Sequence, residues 1–188
     1  MDKVKALESE LQLIENEELR NFVRQFLDEK VPNTFWYAPA SSSGKYHPNF
    51  ATQKHGTLLH TKYVCAWAKE LMRLEQTPYY VAVNADAIYA ACILHDSFKY
   101  GYADDSEHTV DAHPQIASVE WTDFCIKQGY SHMCYAKFIA KIIECHMGQW
   151  GFSFPDTEDQ QLTECCEFVH LCDYIASRKL IDGLKEEE

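Results

Sequence analysis

The apolar run from Ala87 to Leu94 ends on an ionisable pair, His95-Asp96, within the stretch AIYAACILHDSFKYG. Isolated histidines and an aspartate flank that pair at long intervals. His60 lies 35 positions before His95, His113 lies 17 after Asp96, His146 follows 33 later, and Asp173 comes 27 after that. Each falls on a helix-like segment or at its end, so a fold that uses them together must gather the ends of several helices around one point. An adjacent His-Asp at a helix end offers an imidazole nitrogen and a carboxylate to one metal. That donor mix suits divalent Mn, Fe, Co, Ni or Zn, with Mg also admissible through the carboxylates.

Two readings share these six residues. A single-ion site takes His60, His95, Asp96 and Asp173, two imidazoles and two carboxylates, leaving positions open for water and substrate. A two-ion site adds His113 and His146, with Asp96 bridging, because one carboxylate can hold two ions about 3.5–4 Å apart.

The remaining pattern is helical. Val4, Leu7, Leu11, Ile14, Phe22, Val23 and Phe26 recur near the helical period and predict an amphipathic packing helix over 3–29, ended by Pro32. The segment FWYAPASSSGKYHPNF reads as an ordered loop. Helices are expected over about 57–74, carrying His60; from a cap at Asn84 through Leu94; from His113-Pro114, where proline suits the first turn; from a cap at Ser131 to His146; and over about 159–180. Residues 97–112 and 147–159 read as loops and the tail GLKEEE as a frayed end. The segment YYVAV is the one strand candidate, so the fold class is all-α.

Length suits one domain with a sizeable core: 188 residues, 46% hydrophobic. A net charge of -12 argues against a broad surface for long nucleic acid. A small anionic substrate stays compatible, because a metal or a local cationic pocket outweighs the global field. The charged start MDKVKALESELQLIENEELR is unlike a secretory signal, and no apolar run is long enough to span a bilayer. The expectation is a cytoplasmic protein whose cysteines are reduced and buried. Cys165-Cys166 with Cys172 lacks a CxxC partner, and neighbouring positions on a helix point about 100° apart, so structural zinc there is not expected.

On these residues the chain resembles the HD-domain superfamily of metal-dependent phosphohydrolases. The match is the ordered series His60, His95-Asp96 and Asp173, over roughly 36–179; His113 and His146 look like the second-metal ligands of binuclear members. The segments APASSSGKYHP, HDSFKYG, HMGQWG and CDYIASRK are similar to a branch of small HD proteins of bacteria and their phages. An APA segment also precedes the first ligand in HD exoribonucleases. Those relatives carry a Gly-Gly-Leu type sequence where this chain has His55-Gly56-Thr57, and they add an OB domain that is not expected here. Processive RNA degradation is therefore disfavoured. The resemblance implies a helical bundle at 36–180, preceded by a packing helix and connector at 1–35 and followed by an acidic tail at 181–188. It also implies one or two divalent ions and hydrolysis of a nucleotide or short nucleotide phosphoester. Two rivals stay open: some HD proteins use the same six ligands for a mixed-valent di-iron oxygenase, and others keep the fold as a silent binding module. Oligomeric state is not legible.

Further polar residues are candidates. Lys99 completes HDxxK, and in binuclear members a lysine there faces the substrate. An ammonium beside metals can neutralise a phosphate oxygen in the transition state; the alternative is a lysine closing a helix end. With Asp96 it forms the catalytic pair. Arg178 can hold phosphate bidentately. Lys45 and His47 lie in the Ser/Gly loop, where backbone amides and a cation can approach an anion. Gln149 and Trp150 can line the pocket beside His146, and Trp150 can stack on a base or pack in the core. His170, one turn before Asp173, can orient a ligand. His55, His108 and His132 are read as non-ligands.

Overall fold

The computed structural model describes residues 3–41, 44, 47–104, 106–153 and 158–179. Every regular element among them is helical. A 3₁₀ turn, Lys3–Leu7, runs into α1 (Glu8–Leu11); then come α2 (Glu17–Glu29), α3 (Asn33–Tyr37), α4 (Gly56–Leu71), α5 (Tyr79–Val83), α6 (Ala85–Leu94), α7 (His113–Gln128), α8 (Met133–Cys145) and α9 (Gln160–Ala176). Short 3₁₀ turns sit at Asn49–Thr52 and Gly148–Trp150.

Helix α6 is the axis of the fold. All its residues from Ala87 to Leu94 are buried, which is why that run shows no polar face. Helices α4, α8 and α9 pack around it, with α1 and α2 closing the other side. α7 and α8 form a hairpin turned at Gly129, whose positive φ of 74° lets Tyr130 N–H reach back to the Cys125 carbonyl. Phe26, Trp121 and Phe124 meet edge to face in the core, and the Trp121 indole donates to the Ala136 carbonyl at 3.1 Å. The N-terminal elements share this core with the rest of the chain.

Several local expectations are corrected. The first helix is not continuous over 3–29. Ile14 turns into the core, and the Asp86 carboxylate accepts from the backbone N–H groups of Glu15 and Asn16 at 2.7 and 3.0 Å. Asn16 then caps α2 through Leu19 N–H. Pro32 ends α2's continuation but also opens α3, so Phe35, Trp36 and Tyr37 are helical rather than looped. YYVAV is helix α5, not a strand; five residues behind Pro78 make one turn that packs on α9. Asn84 does not cap α6 with its side chain, which donates instead to the Tyr80 carbonyl at 2.7 Å. Ser131 lies one residue ahead of the cap position, and its hydroxyl donates to Glu18. α9 stops at Ala176, short of 180. The tail 181–188 lies outside the described residues.

All eight cysteines are free, and seven are buried as expected; Cys134, in the exposed first turn of α8, is the exception. No described helix is long and apolar enough to cross a membrane.

Candidate metal centre

Five helices bring the six candidate ligands to one buried place. α6 ends on His95 and delivers Asp96 directly beyond it; α7 opens on His113; α8 ends on His146; α4 carries His60 in its second turn and α9 carries Asp173 in its last. Asp96 is at the middle. Its Oδ1 lies 3.1 Å from His113 Nε2 and 3.7 Å from His146 Nε2, and its Oδ2 lies 3.4 Å from His95 Nε2 and 3.7 Å from His60 Nε2. Asp173 Oδ1 sits 2.9 Å from His60 Nε2 and 4.0 Å from His95 Nε2. Two groups could each hold an ion, His60/His95/Asp96 and Asp96/His113/His146, and they share Asp96. That sharing is the arrangement a bridging carboxylate needs.

Three of the imidazoles are oriented by one local device. His95, His113 and His146 each place Nδ1 on the backbone carbonyl three residues earlier: Cys92, Val110 and Ile143, at 2.8, 2.7 and 2.7 Å. A carbonyl can only accept, so Nδ1 carries the proton and Nε2 presents its lone pair inward. The consequence is a set of nitrogen lone pairs aimed at one another across the cluster. His113 Nε2 and His146 Nε2 face each other at 3.2 Å, and His95 Nε2 is buried with no hydrogen-bond partner. Two facing lone pairs beside a carboxylate repel unless a cation lies among them. The donor set therefore fits a divalent ion. His60 differs: its Nδ1 is buried without a partner, and its orientation rests on Asp173.

The electrostatics favour the ligand-competent protonation states. Burial pushes His146 down to about 4, and burial also lowers His60 despite the pull of Asp173. Burial alone would raise both aspartates. The Lys99 ammonium and His95 outweigh it at Asp96, and His60 does so at Asp173, so both carboxyls are held well below their usual range. His95 alone shifts upward: burial lowers it, but the Asp96 charge beside it wins. Neutral imidazoles and ionised carboxylates are the forms that bind metal.

A cleft of about 230 Å³ opens over this cluster, walled by Lys99, His47, Trp150, Tyr174 and Arg178, with His113 and Asp173 in its floor. Lys99 Nζ donates to Asp96 Oδ2 at 2.5 Å, so it faces the ligands and does not merely close α6. His47 stacks edge-on to His60 at 5.4 Å between ring centroids, and burial together with Lys99 pushes it down to about 4. Arg178 lies over the Tyr174 ring. Trp150 is 53% exposed, so the core-packing alternative is overturned. Gln149 is misplaced by the sequence reading. It is exposed and lines a neighbouring depression that shares Trp150, His170 and Tyr174 with the cleft, and it is not among the residues lining the cleft itself. Lys45 lies outside the described residues. His170 supports His146 through its backbone, with Nδ1 on the His146 carbonyl at 2.8 Å. Among the described residues no cysteine joins a metal-capable group, and neither do His55, His108 and His132.

The APA segment is tied to the start of α4 by backbone pairing that periodicity does not reveal. Thr57 N–H donates to the Ala38 carbonyl, and Ala40 N–H to the Ala51 carbonyl at 2.7 Å. Tyr100 and Thr57 hydroxyls both donate to the Pro39 carbonyl. At Gly56 an added Cβ would stand 2.1 Å from the Ala51 carbonyl oxygen, so glycine is required there. His55 adopts a φ of 67°, a conformation that favours glycine, and its ring compensates with a 2.7 Å bond from Nδ1 to the Trp36 carbonyl. Tyr174 was missed in the sequence; its one signal is adjacency to Asp173.

The HD domain family model matches residues 57–178. No curated protein and no solved structure shows a significant match.

Proposed function

The chain belongs to the HD domain family, and from that footing we propose that it is a metal-dependent phosphohydrolase acting on a nucleotide or short nucleotide phosphoester. The observation that carries the reading is the pair of inward-facing imidazole nitrogens of His113 and His146, 3.2 Å apart and beside Asp96 Oδ1. That second donor group is what a two-ion hydrolase requires beyond His60, His95, Asp96 and Asp173. The family's divalent ions (Mn, Fe, Co, Ni, Mg or Zn) supply Lewis acidity and a water of lowered pKa.

The chain's own residues would do the rest. Asp96 bridges the two donor groups. Lys99, within reach of Asp96 Oδ2 and facing the cleft, neutralises charge building on a phosphoryl oxygen. Arg178 and His47 hold the anion at the cleft wall. We read residues 36–180 as the HD domain, 1–35 as a packing connector and 181–188 as a tail, in a cytoplasmic protein.

The test is metal analysis of protein purified without chelator, followed by phosphate release from a nucleotide and phosphodiester panel with Mn, Co or Mg. Two ions per chain and turnover on a small phosphoester are expected. Oxygen uptake with iron, and no phosphate release with any metal, would replace the hydrolase reading by the oxygenase one.

A further inference from the structure

A half-exposed tryptophan at the rim of a charged cleft needs a reason. Trp150 follows His146 by four residues and is 53% exposed. Its indole is parallel to the Tyr174 ring within 2°, at 5.6 Å between centroids. The Arg178 guanidinium stands 4.0 Å over the Tyr174 ring and 5.6 Å from the Trp150 ring. Tyr174 is the neighbour of the candidate ligand Asp173, and Arg178 is four positions further, so one end of α9 joins the aromatic wall to the metal floor. Trp150, Tyr174 and Arg178 line the same cleft as Lys99, His113 and Asp173.

The shelf is held in place. Gly148 opens the turn with a φ of +53°, and a Cβ there would lie 2.6 Å from the His170 ring. His170 is itself anchored on the His146 carbonyl and touches Trp150 at 5.6 Å between rings. The indole is thus positioned by a glycine-dependent turn that also fixes a candidate ligand. Preorganised aromatic surface of this kind suits a planar ligand, whose stacking costs little ordering on binding.

We propose that Trp150, backed by Tyr174 and Arg178, receives the base of a nucleotide whose phosphoester lies over the ligand cluster. This rests on the phosphohydrolase reading and names what its substrate carries. The parallel rings are too close for a base to enter between them, so the base stacks on the open face of the indole. Every base has a π-face, so the shelf demands a base without choosing its identity. A base inside a duplex has both faces occupied. The cleft, about 230 Å³, is smaller than the usual ligand pocket, which runs from roughly 300 Å³ upward. The substrate is therefore a mononucleotide or a single unpaired terminal nucleotide.

The experiment compares AMP, CMP and ribose 5-phosphate on the metal-loaded full chain, in wild type, W150A and W150F. Loss of one base–aromatic stack weakens binding on the order of tenfold to a hundredfold. Wild type should therefore favour AMP over ribose 5-phosphate by at least about tenfold in kcat/KM. W150A should collapse that ratio through KM with metal content unchanged, and W150F should restore part of it. An unchanged ratio in W150A overturns the shelf and leaves the hydrolase reading standing. If no phosphoester is cleaved, calorimetric titration of AMP decides. Binding to wild type that weakens at least tenfold in W150A supports the shelf while the hydrolase reading falls; equal or absent binding in both overturns the shelf.

Discussion

Stripping and restoring metal should change the stability of this protein by an amount the cluster makes calculable. Without a cation, the His113 and His146 Nε2 atoms oppose each other at 3.2 Å, and His95 Nε2 is buried without a partner. An ion in each of the two donor groups would satisfy these nitrogens in the native state and would have no equivalent site in the unfolded chain. Binding to the native state alone contributes about 2.7 kcal/mol at a free concentration of ~100 Kd. One kcal/mol moves Tm by roughly 2–4 °C in a chain of this size, so each ion should raise Tm by about 5–11 °C. The assay is thermal unfolding of chelator-stripped protein titrated with Mn, an ion chosen because it binds unfolded cysteines poorly. Wild type should show a two-ion rise, His146→Ala about half of it, and Asp96→Ala a rise under about 2 °C, because Asp96 belongs to both donor groups. Far-UV circular dichroism should show all three folded. A wild-type protein whose Tm ignores Mn, Fe, Co, Ni, Zn and Mg at millimolar concentration, or an Asp96→Ala variant that responds in full, would refute the site assignment.

Lys99→Ala should retain metal but lose about 10²–10³-fold in kcat on the best phosphoester, with Arg restoring only part because its planar fork does not reproduce a point charge; unchanged kinetics would remove Lys99 from catalysis. Gly56→Ala must push the Ala51 carbonyl out of the way of a Cβ only 2.1 Å distant and break the 2.7 Å Ala40–Ala51 bond, at about 2–4 kcal/mol, and a Tm loss under 2 °C would show that the APA segment yields freely. The metal-free protein should lose stability as pH falls from about 6.5 toward 4. In that window the unfolded histidines take protons that buried His146, lowered to about 4, refuses in the fold, worth up to about 1.4 kcal/mol per pH unit. His60 adds to this and His95, shifted upward, opposes it; a Tm that rises on acidification would mean that His95 dominates.

What could be read from residues alone follows from how locally each feature is determined. His95, His113 and His146 all stand at helix ends, and each is aimed by the carbonyl three residues before it. Such a device lies within one turn of chain, so the sequence shows the candidate ligands while leaving their grouping into one site or two open. The burial of α6 was legible for the same reason, as a run without a polar face. His60 and Asp173 sit inside their helices and orient each other across 113 positions, and only their order relative to the others singled them out. The failures are tertiary. The break at Gln12–Asn16 depends on a carboxylate 70 residues away, and the apolar YYVAV, too short for a helical period to show, is a single helical turn that buries Val81 and leaves Tyr79 and Val83 exposed. The wall of the cleft was half visible. Trp150 and Arg178 were singled out as polar or stackable side chains, but Tyr174, which joins them, has no signal beyond its neighbour Asp173. A floor of ligands set by helix ends and a wall set by contacts between α9 and the Gly148 turn are thus determined at different levels. On the proposed function, substitutions in the wall should therefore change substrate choice while the helix-end geometry of the candidate ligands stays as it is.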